Sequence, residues 1–127
     1  MLQMANKRPK YLNLFEIKLP LPGWVSILHR ISGAGLFLML PALIWLLSLS
    51  LGTPETFETF KAVVGHPLVK LVLLGLMWAY LHHFCMGIRI LLLDMHIGIE
   101  KEQARASAIA VLVVSLALTA ILGAKLW

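Results

Sequence analysis

Three long stretches without a charged residue constrain the fold of this chain more than any other feature. They cover residues 31–51, 71–88 and 106–124. Each is close to the roughly 20 residues that an α-helix needs to cross about 30 Å of hydrocarbon. The whole chain is 60% hydrophobic, above the roughly half-apolar composition of soluble domains. The sequence therefore predicts an all-α membrane protein with three transmembrane helices, at about residues 24–51, 68–93 and 104–125.

Basic residues are distributed unevenly around these stretches and indicate the orientation in the membrane. Most of them precede the first stretch or follow the second, at Lys7, Arg8, Lys10, Lys18, Arg89, Lys101 and Arg105. The positive-inside bias then places the N-terminus and the second loop in the cytoplasm. We interpret residues 1–22 as a cytoplasmic N-terminal arm and residues 23–127 as one three-helix transmembrane domain. Nucleic-acid binding is not expected, because it needs a basic face on a water-exposed domain.

Two adjacent histidines, His82 and His83, lie inside the second stretch. Ionisable side chains in hydrocarbon are costly and usually mark a ligand, cofactor or partner site. Helical steps of four residues place His83 in line with Gly75, Ala79 and Gly87, a stripe of small residues that a flat cofactor could approach. His82 points about 100° away. An axial haem ligand is a known role for such a histidine, so the spacing favours His83, with an interhelical hydrogen bond as the alternative.

Arg89 and Asp94 continue the same helix toward its end. Arg89 lies about 9 Å beyond His83 along the axis, where it is predicted to meet a haem propionate. Asp94 is predicted to form an ion pair at the membrane interface, with a proton route as the alternative. The first span has no histidine at the depth of His83, because His29 lies near its start. If two histidines ligate the iron, another chain must supply the second, which predicts a hetero-oligomer.

A second polar cluster lies at the start of the first span. Ser26, His29, Arg30 and Gly33 fall within an arc of about 100° on a helix. A hydroxyl, a titratable imidazole and a guanidinium that share one face are suited to bind the carbonyl of a quinone. The alternative is that Arg30 only anchors the helix at the lipid headgroups.

These motifs closely resemble the cytochrome b subunit of bacterial succinate dehydrogenase, respiratory complex II. The similar segments are Arg8-Pro9 with residues 12–14, the Ser-Ile-Leu-His-Arg-Ile-Ser-Gly stretch at 26–33, and the residues from His83 through Gly87-Ile88-Arg89 to Asp94. The resemblance covers nearly the whole chain. One departure is Ile90, at a position where many relatives have histidine.

The resemblance implies a multi-pass anchor in the lipid bilayer of the bacterial inner (cytoplasmic) membrane. It implies one haem b shared with a second small anchor subunit, which supplies the other axial ligand. An iron-sulfur subunit and a flavoprotein subunit are expected on the cytoplasmic face, so that electrons from succinate reach ubiquinone. His83 would be the axial ligand, Ser26 and Arg30 would contribute to the quinone site, and His29 and Arg30 would lie near the haem propionates. The chain alone is not expected to be catalytic.

Two alternatives stand beside this interpretation. The chain could be the anchor of a fumarate reductase, which runs in the opposite direction. It could also be a haem-free membrane interaction or assembly protein whose histidines only bond neighbouring helices. A reduced-minus-oxidised optical spectrum separates this last alternative from a cytochrome.

Overall fold

A computed structural model describes residue 13 and residues 15–127 of the chain. The helices in this part are α1 (Leu21–Leu51), α2 (Pro54–Gly65), α3 (Pro67–Asp94) and α4 (Lys101–Leu126). Three of them, α1, α3 and α4, are long and apolar enough to cross a membrane. The predicted all-α fold with three long apolar helices is therefore confirmed. Most of the predicted N-terminal arm, with Arg8 and Pro9, lies outside the described residues.

Proline and a side-chain cap start both α2 and α3. Thr53 accepts a hydrogen bond from the backbone N–H of Thr56 at 3.3 Å, and Pro54 is the first residue of α2. Likewise, Nδ1 of His66 accepts from the N–H of Leu68 at 3.2 Å, and Pro67 begins α3. Proline suits this position because its missing N–H would have no partner in the first turn. From the sequence alone, the acidic residues that follow Pro54 predict a short surface helix at residues 55–60. The helix in the structure is longer, with 12 residues.

A Schellman turn ends α3. The N–H of His96 donates to Leu93 O at 3.0 Å and the N–H of Ile97 donates to Leu92 O at 2.9 Å. This motif needs a left-handed residue after the helix, and His96 takes that conformation with φ 60°. The turn is tight and reverses the chain into α4, so α3 and α4 form a hairpin.

Among the described residues, the buried centre of the bundle contains more polar than apolar residues. Helix α3 is central and packs against both α1 and α4. The buried apolar residues of the described chain are Val25, Met86, Ala108 and Val111. The buried polar residues are Ser32, His82, Arg89, Ser115 and Thr119. Many large apolar side chains instead point outward, as expected for helices that are surrounded by lipid.

Polar contacts join α3 to α4 along nearly their whole length. Lys70 Nζ donates to the main-chain oxygen of Trp127 at 3.1 Å, and Trp78 Nε1 donates to the Ser115 hydroxyl at 3.3 Å. At the other end, Arg89 bonds to the first turns of α4. These bonds fix the register of the hairpin, since lipid offers no competing partner for them.

Candidate functional site

His83 lies against α1 and makes its polar contacts there. Its Nδ1 is 3.1 Å from the carbonyl oxygen of His29 and 3.2 Å from Oγ of Ser32. The imidazoles of His29 and His83 stack, with ring centroids 4.1 Å apart and an interplanar angle of 16°. The structure therefore unites the two clusters that the sequence showed separately, one on α1 and one on α3.

These hydrogen bonds determine which nitrogen of His83 carries the proton. The Ser32 hydroxyl donates its single hydrogen to His29 O at 2.8 Å, so its oxygen can only accept from His83. The His29 carbonyl is also only an acceptor. These contacts place a proton on Nδ1, so in the neutral form of the imidazole it is Nε2 that carries the lone pair. Metal-binding histidines are commonly arranged in this way, with the other ring N–H donated to a backbone carbonyl.

The close approach of His83 to α1 depends on Gly33. A Cβ atom at this position would lie 2.8 Å from Cε1 and 3.3 Å from Nδ1 of His83. Such distances are too short for a side chain to be added without moving the ring. Gly33 thus forms one wall of the His83 site, while the stacked ring of His29 covers a face of the imidazole.

His82 occupies a different environment from its neighbour. Its side chain is completely buried, and neither ring nitrogen has a hydrogen-bond partner among the described residues. The ring lies 5.4 Å from that of Trp78 at a tilt of 42°. An exogenous group has no access to such a side chain without opening the bundle. The structure therefore gives His82 a packing role inside the chain.

Ser26 and Arg30 lie one helical turn apart near the start of α1, as the sequence predicted for one face. Arg30 is exposed and Ser26 is half-buried. Neither side chain has a hydrogen bond to residue 13 or residues 15–127. Their donors are thus not used by the rest of the described chain, and they are available to a ligand at this end of the bundle.

Comparisons with known proteins identify the family of this chain. Residues 4–122 match the model of the succinate dehydrogenase/fumarate reductase transmembrane subunit family. The chain belongs to this family. A relative named succinate dehydrogenase cytochrome b556 subunit, from Coxiella burnetii, is 34% identical over 98% of this chain and 100% of its own length. A protein of the same name from Paracoccus denitrificans is 34% identical over 87% of this chain and 85% of its own. A third, from Rickettsia felis, is 31% identical over 94% of each chain.

As a member of this transmembrane subunit family, the chain is a membrane anchor of bacterial succinate dehydrogenase. It is a multi-pass protein of the inner membrane, and other subunits belong to the same complex. The resemblance stated from its motifs is confirmed. The family excludes an assembly protein from outside it, whereas haem binding, which separates the chain from a haem-free membrane protein, stays a prediction.

The structure places Arg89 and Asp94 in surroundings other than those that the sequence predicted. Arg89 turns toward α4, where its Nε donates to Ser107 Oγ at 2.8 Å and Nη2 donates to Ala104 O at 3.1 Å. Six residues separate it from His83, so it points about 120° away around α3. A propionate contact stays a prediction that requires the side chain to turn toward the His83 face of α3. Asp94 is exposed and forms no salt bridge to any residue of the described chain.

Two residues that form contacts between helices, Ser32 and Ser107, were not among the predicted site residues. Ser32 was named only as part of the motif at residues 26–33. In the structure its hydroxyl forms hydrogen bonds with both the His29 carbonyl and Nδ1 of His83. Ser107 donates to Ala104 O of its own helix at 3.1 Å, and it also accepts from Arg89. Both contacts depend on how the helices are rotated against each other, which the spacing of residues within one helix cannot reveal.

Proposed function

We propose that this chain binds haem b through His83 and contributes Ser26 and Arg30 to the ubiquinone reduction site of a succinate dehydrogenase complex. The observation that carries the proposal is the fixed imidazole of His83. Its Nδ1–H is donated to α1, and Nε2 has no hydrogen-bond partner in the described part of the chain. A half-buried, neutral imidazole with one available lone pair is the donor that a haem iron requires.

The surroundings of His83 fit a flat group of this kind. A Cβ atom added at Gly75 or at Gly87 would meet nothing within 4 Å. The backbone of α3 is therefore open to an external group on both sides of His83 along the helix. When bound, haem b supplies one-electron redox chemistry. The hydrogen bonds to Nδ1 hold the imidazole at a fixed rotation, and the stacked His29 ring restricts it further.

The second axial ligand is proposed to come from the second small anchor subunit. His29 is the nearest histidine of this chain, but its ring is stacked face to face with His83. A ring stacked on His83 in this way would not direct its nitrogen to the same iron as Nε2 of His83, so His29 would not hold the haem together with His83. His82 is buried within the bundle. The remaining histidines, His66 and His96, lie beyond the two ends of α3, so a partner subunit is the proposed source of the ligand.

Arg30 and Ser26 are proposed to hold the quinone headgroup, with His29 and Arg30 also close to the haem propionates. Arg30 brings a permanent positive charge and several N–H donors, which favour an oxygen that gains negative charge. The Ser26 hydroxyl adds one donor or acceptor. Residues 26–30 lie at the same end of α1 as the His83 contact. An iron-sulfur subunit and a flavoprotein subunit are proposed to dock at this end, on the cytoplasmic side.

The experiment is a reduced-minus-oxidised optical spectrum of the complex purified with its partner subunits. We expect His83→Ala to lose the b-type band or most of its intensity. His82→Ala is the matched control, because it removes an adjacent imidazole from the packed interior and should keep the band in the assembled complex. A normal band in His83→Ala with loss of the band in His82→Ala would contradict the proposal. A wild-type complex without any b-type band would favour a haem-free anchor.

The direction of catalysis is proposed to be succinate oxidation. The family description covers fumarate reductases as well, so an anchor of that enzyme is the alternative. The relatives described above are named as subunits of succinate dehydrogenase, which favours succinate oxidation. Rates of succinate oxidation and fumarate reduction, each measured with the membrane quinone, would distinguish the two enzymes.

A further inference from the structure

The guanidinium of Arg89 is a buried charge without an anionic partner in its own chain. Its side chain is 6% exposed, and arginine remains protonated in proteins. The six acidic residues of the sequence all lie in the described part, where the single salt bridge joins Lys61 to Glu58 at 2.7 Å. An unpaired charge in a membrane helix is costly and usually faces a partner or a ligand. The counter-ion of Arg89 must therefore come from outside this chain.

The groups that contact Arg89 are all neutral and leave part of it unused. Nε donates to Ser107 Oγ at 2.8 Å, Nη2 donates to Ala104 O at 3.1 Å, and Nη1 lies 3.8 Å from Met86 Sδ. A guanidinium has five N–H donors. At least two of them remain for the oxygen atoms of an anion.

A cavity of about 370 Å³ adjoins this guanidinium between α3, α4 and the turn that joins them. Apart from Arg89 and Ser107, its lining is mostly aliphatic, with Leu92, Ala110 and Val114 among the residues. Arg89 lies five residues before the end of α3, about 8 Å along the axis. The charge is thus near the level of the lipid headgroups, and the cavity extends beside it along apolar helices.

The cavity faces away from the proposed haem. Arg89 is rotated by about 120° from His83 around α3, and the open stripe at Gly75 and Gly87 shares the His83 side. A second anchor subunit that holds the other haem ligand would cover that side. The α3–α4 side is then left to the bilayer, which supplies both acyl chains and phosphate groups. This choice of side is the one step that rests on the proposed function.

We propose that the α3–α4 cavity binds an anionic phospholipid, with its headgroup phosphate on Arg89 and one acyl chain in the apolar part. The phosphate accepts from the unused N–H groups of the guanidinium, a charge-assisted contact. Apolar contact with the aliphatic walls supplies the rest of the binding. The site distinguishes anionic from zwitterionic lipids, because only the former bring a net negative charge to the buried arginine.

The test measures lipid binding to the delipidated, purified complex by native mass spectrometry. Dioleoylphosphatidylglycerol, dioleoylphosphatidylcholine and inorganic phosphate are titrated separately. We expect the wild-type complex to prefer the anionic lipid, and Arg89→Gln to bind it about tenfold to a hundredfold more weakly, as for loss of a charged hydrogen bond. Arg105→Gln is the matched control, since it removes an exposed arginine from the same end of α4 and should keep the wild-type affinity.

A second variant tests the cavity without changing the charge. Ala110→Phe places a ring in the cavity and should weaken binding of both lipids, whereas Ala106→Phe, on an exposed position outside the lining, should not. This variant decides the result if Arg89→Gln does not assemble. Unchanged affinity in Arg89→Gln or Ala110→Phe would overturn the proposal. Binding of inorganic phosphate as strong as that of the anionic lipid would also overturn it, because the site would then take a free anion. The same holds if Arg89→Gln loses the haem band but keeps the lipid, because Arg89 would then contact a propionate.

Discussion

Replacement of Gly33 by alanine should displace His83 and weaken haem retention. The new Cβ would lie 2.8 Å from Cε1 of His83, and the ring cannot retreat freely because it stacks on His29 and donates through Nδ1. Gly35→Ala is a matched control two residues along the same helix. A Cβ atom at Gly35 would meet no atom of the described residues within 4 Å. Both variants therefore add the same methyl group to α1, but only Gly33→Ala places it against the imidazole of His83.

The size of the effect follows from that comparison. Alanine stabilises a helix interior relative to glycine by roughly 0.5–1 kcal/mol, and this gain applies to both variants. Overpacking of a filled site costs about 1–3 kcal/mol, and it applies to Gly33→Ala alone. If this strain is relieved when His83 leaves its position, haem binding should weaken by about fivefold to somewhat over a hundredfold relative to Gly35→Ala.

The assay is the ratio of haem to protein in the purified complex, together with the position of the b-type band. Gly33→Ala should show a lower ratio during mild detergent exchange, and a shifted band in the haem that remains. Gly35→Ala should match the wild type in both measurements. Equal ratios and unshifted bands in both variants would refute the argument that the imidazole is held tightly between α1 and α3.

Three further predictions concern single side chains. Ser32→Ala removes a neutral hydrogen bond to Nδ1 of His83, so haem retention should fall by about twofold to tenfold, while Ser50→Ala, whose hydroxyl bonds within its own helix, should leave the haem-to-protein ratio unchanged. Arg30→Leu should weaken quinone binding by about tenfold to a hundredfold and Ser26→Ala by less. Succinate-driven quinone reduction should therefore drop while electron transfer to an artificial acceptor upstream of the quinone persists; equal loss of both activities would contradict the quinone role. His96→Gly should raise the free energy of unfolding by about 1 kcal/mol, because the left-handed backbone disfavours a side chain. His96→Val should lower the free energy of unfolding. Thermal unfolding of the solubilised complex should therefore rank the stabilities as glycine above histidine above valine at this position, and equal stabilities would show that the turn is unstrained.

The fold was predictable from the sequence because lipid imposes a simple rule. A backbone in hydrocarbon must satisfy its own hydrogen bonds, so a long apolar stretch has few alternatives to a helix. Length and charge therefore predicted the three long helices within a few residues at each end. The extension of α2 to Gly65 was missed, because residues 61–65 carry no signal that separates the end of a surface helix from the start of the next span.

The candidate site was predictable only in part. The stripe of small residues distinguished His83 from His82, and the complete burial of His82 is consistent with that choice. Ser32 was missed because it lies outside the arc that Ser26, His29 and Arg30 share, and its importance depends on the rotation of α1 against α3. The setting of Arg89 was missed for the same reason. In a membrane bundle the outer surface is as apolar as the interior, so hydrophobic periodicity does not indicate which face turns inward.

The uneven distribution of polar contacts bears on how the three helices come together. The hairpin of α3 and α4 has hydrogen bonds from Lys70 to Arg89, about 28 Å along the helix axis. By contrast, each hydrogen bond that the structure shows between α1 and α3 involves His83. The hairpin thus carries its own alignment, whereas the depth and rotation of α1 are set at one point. A cofactor held by His83 would therefore also strengthen the alignment of the first helix with α3.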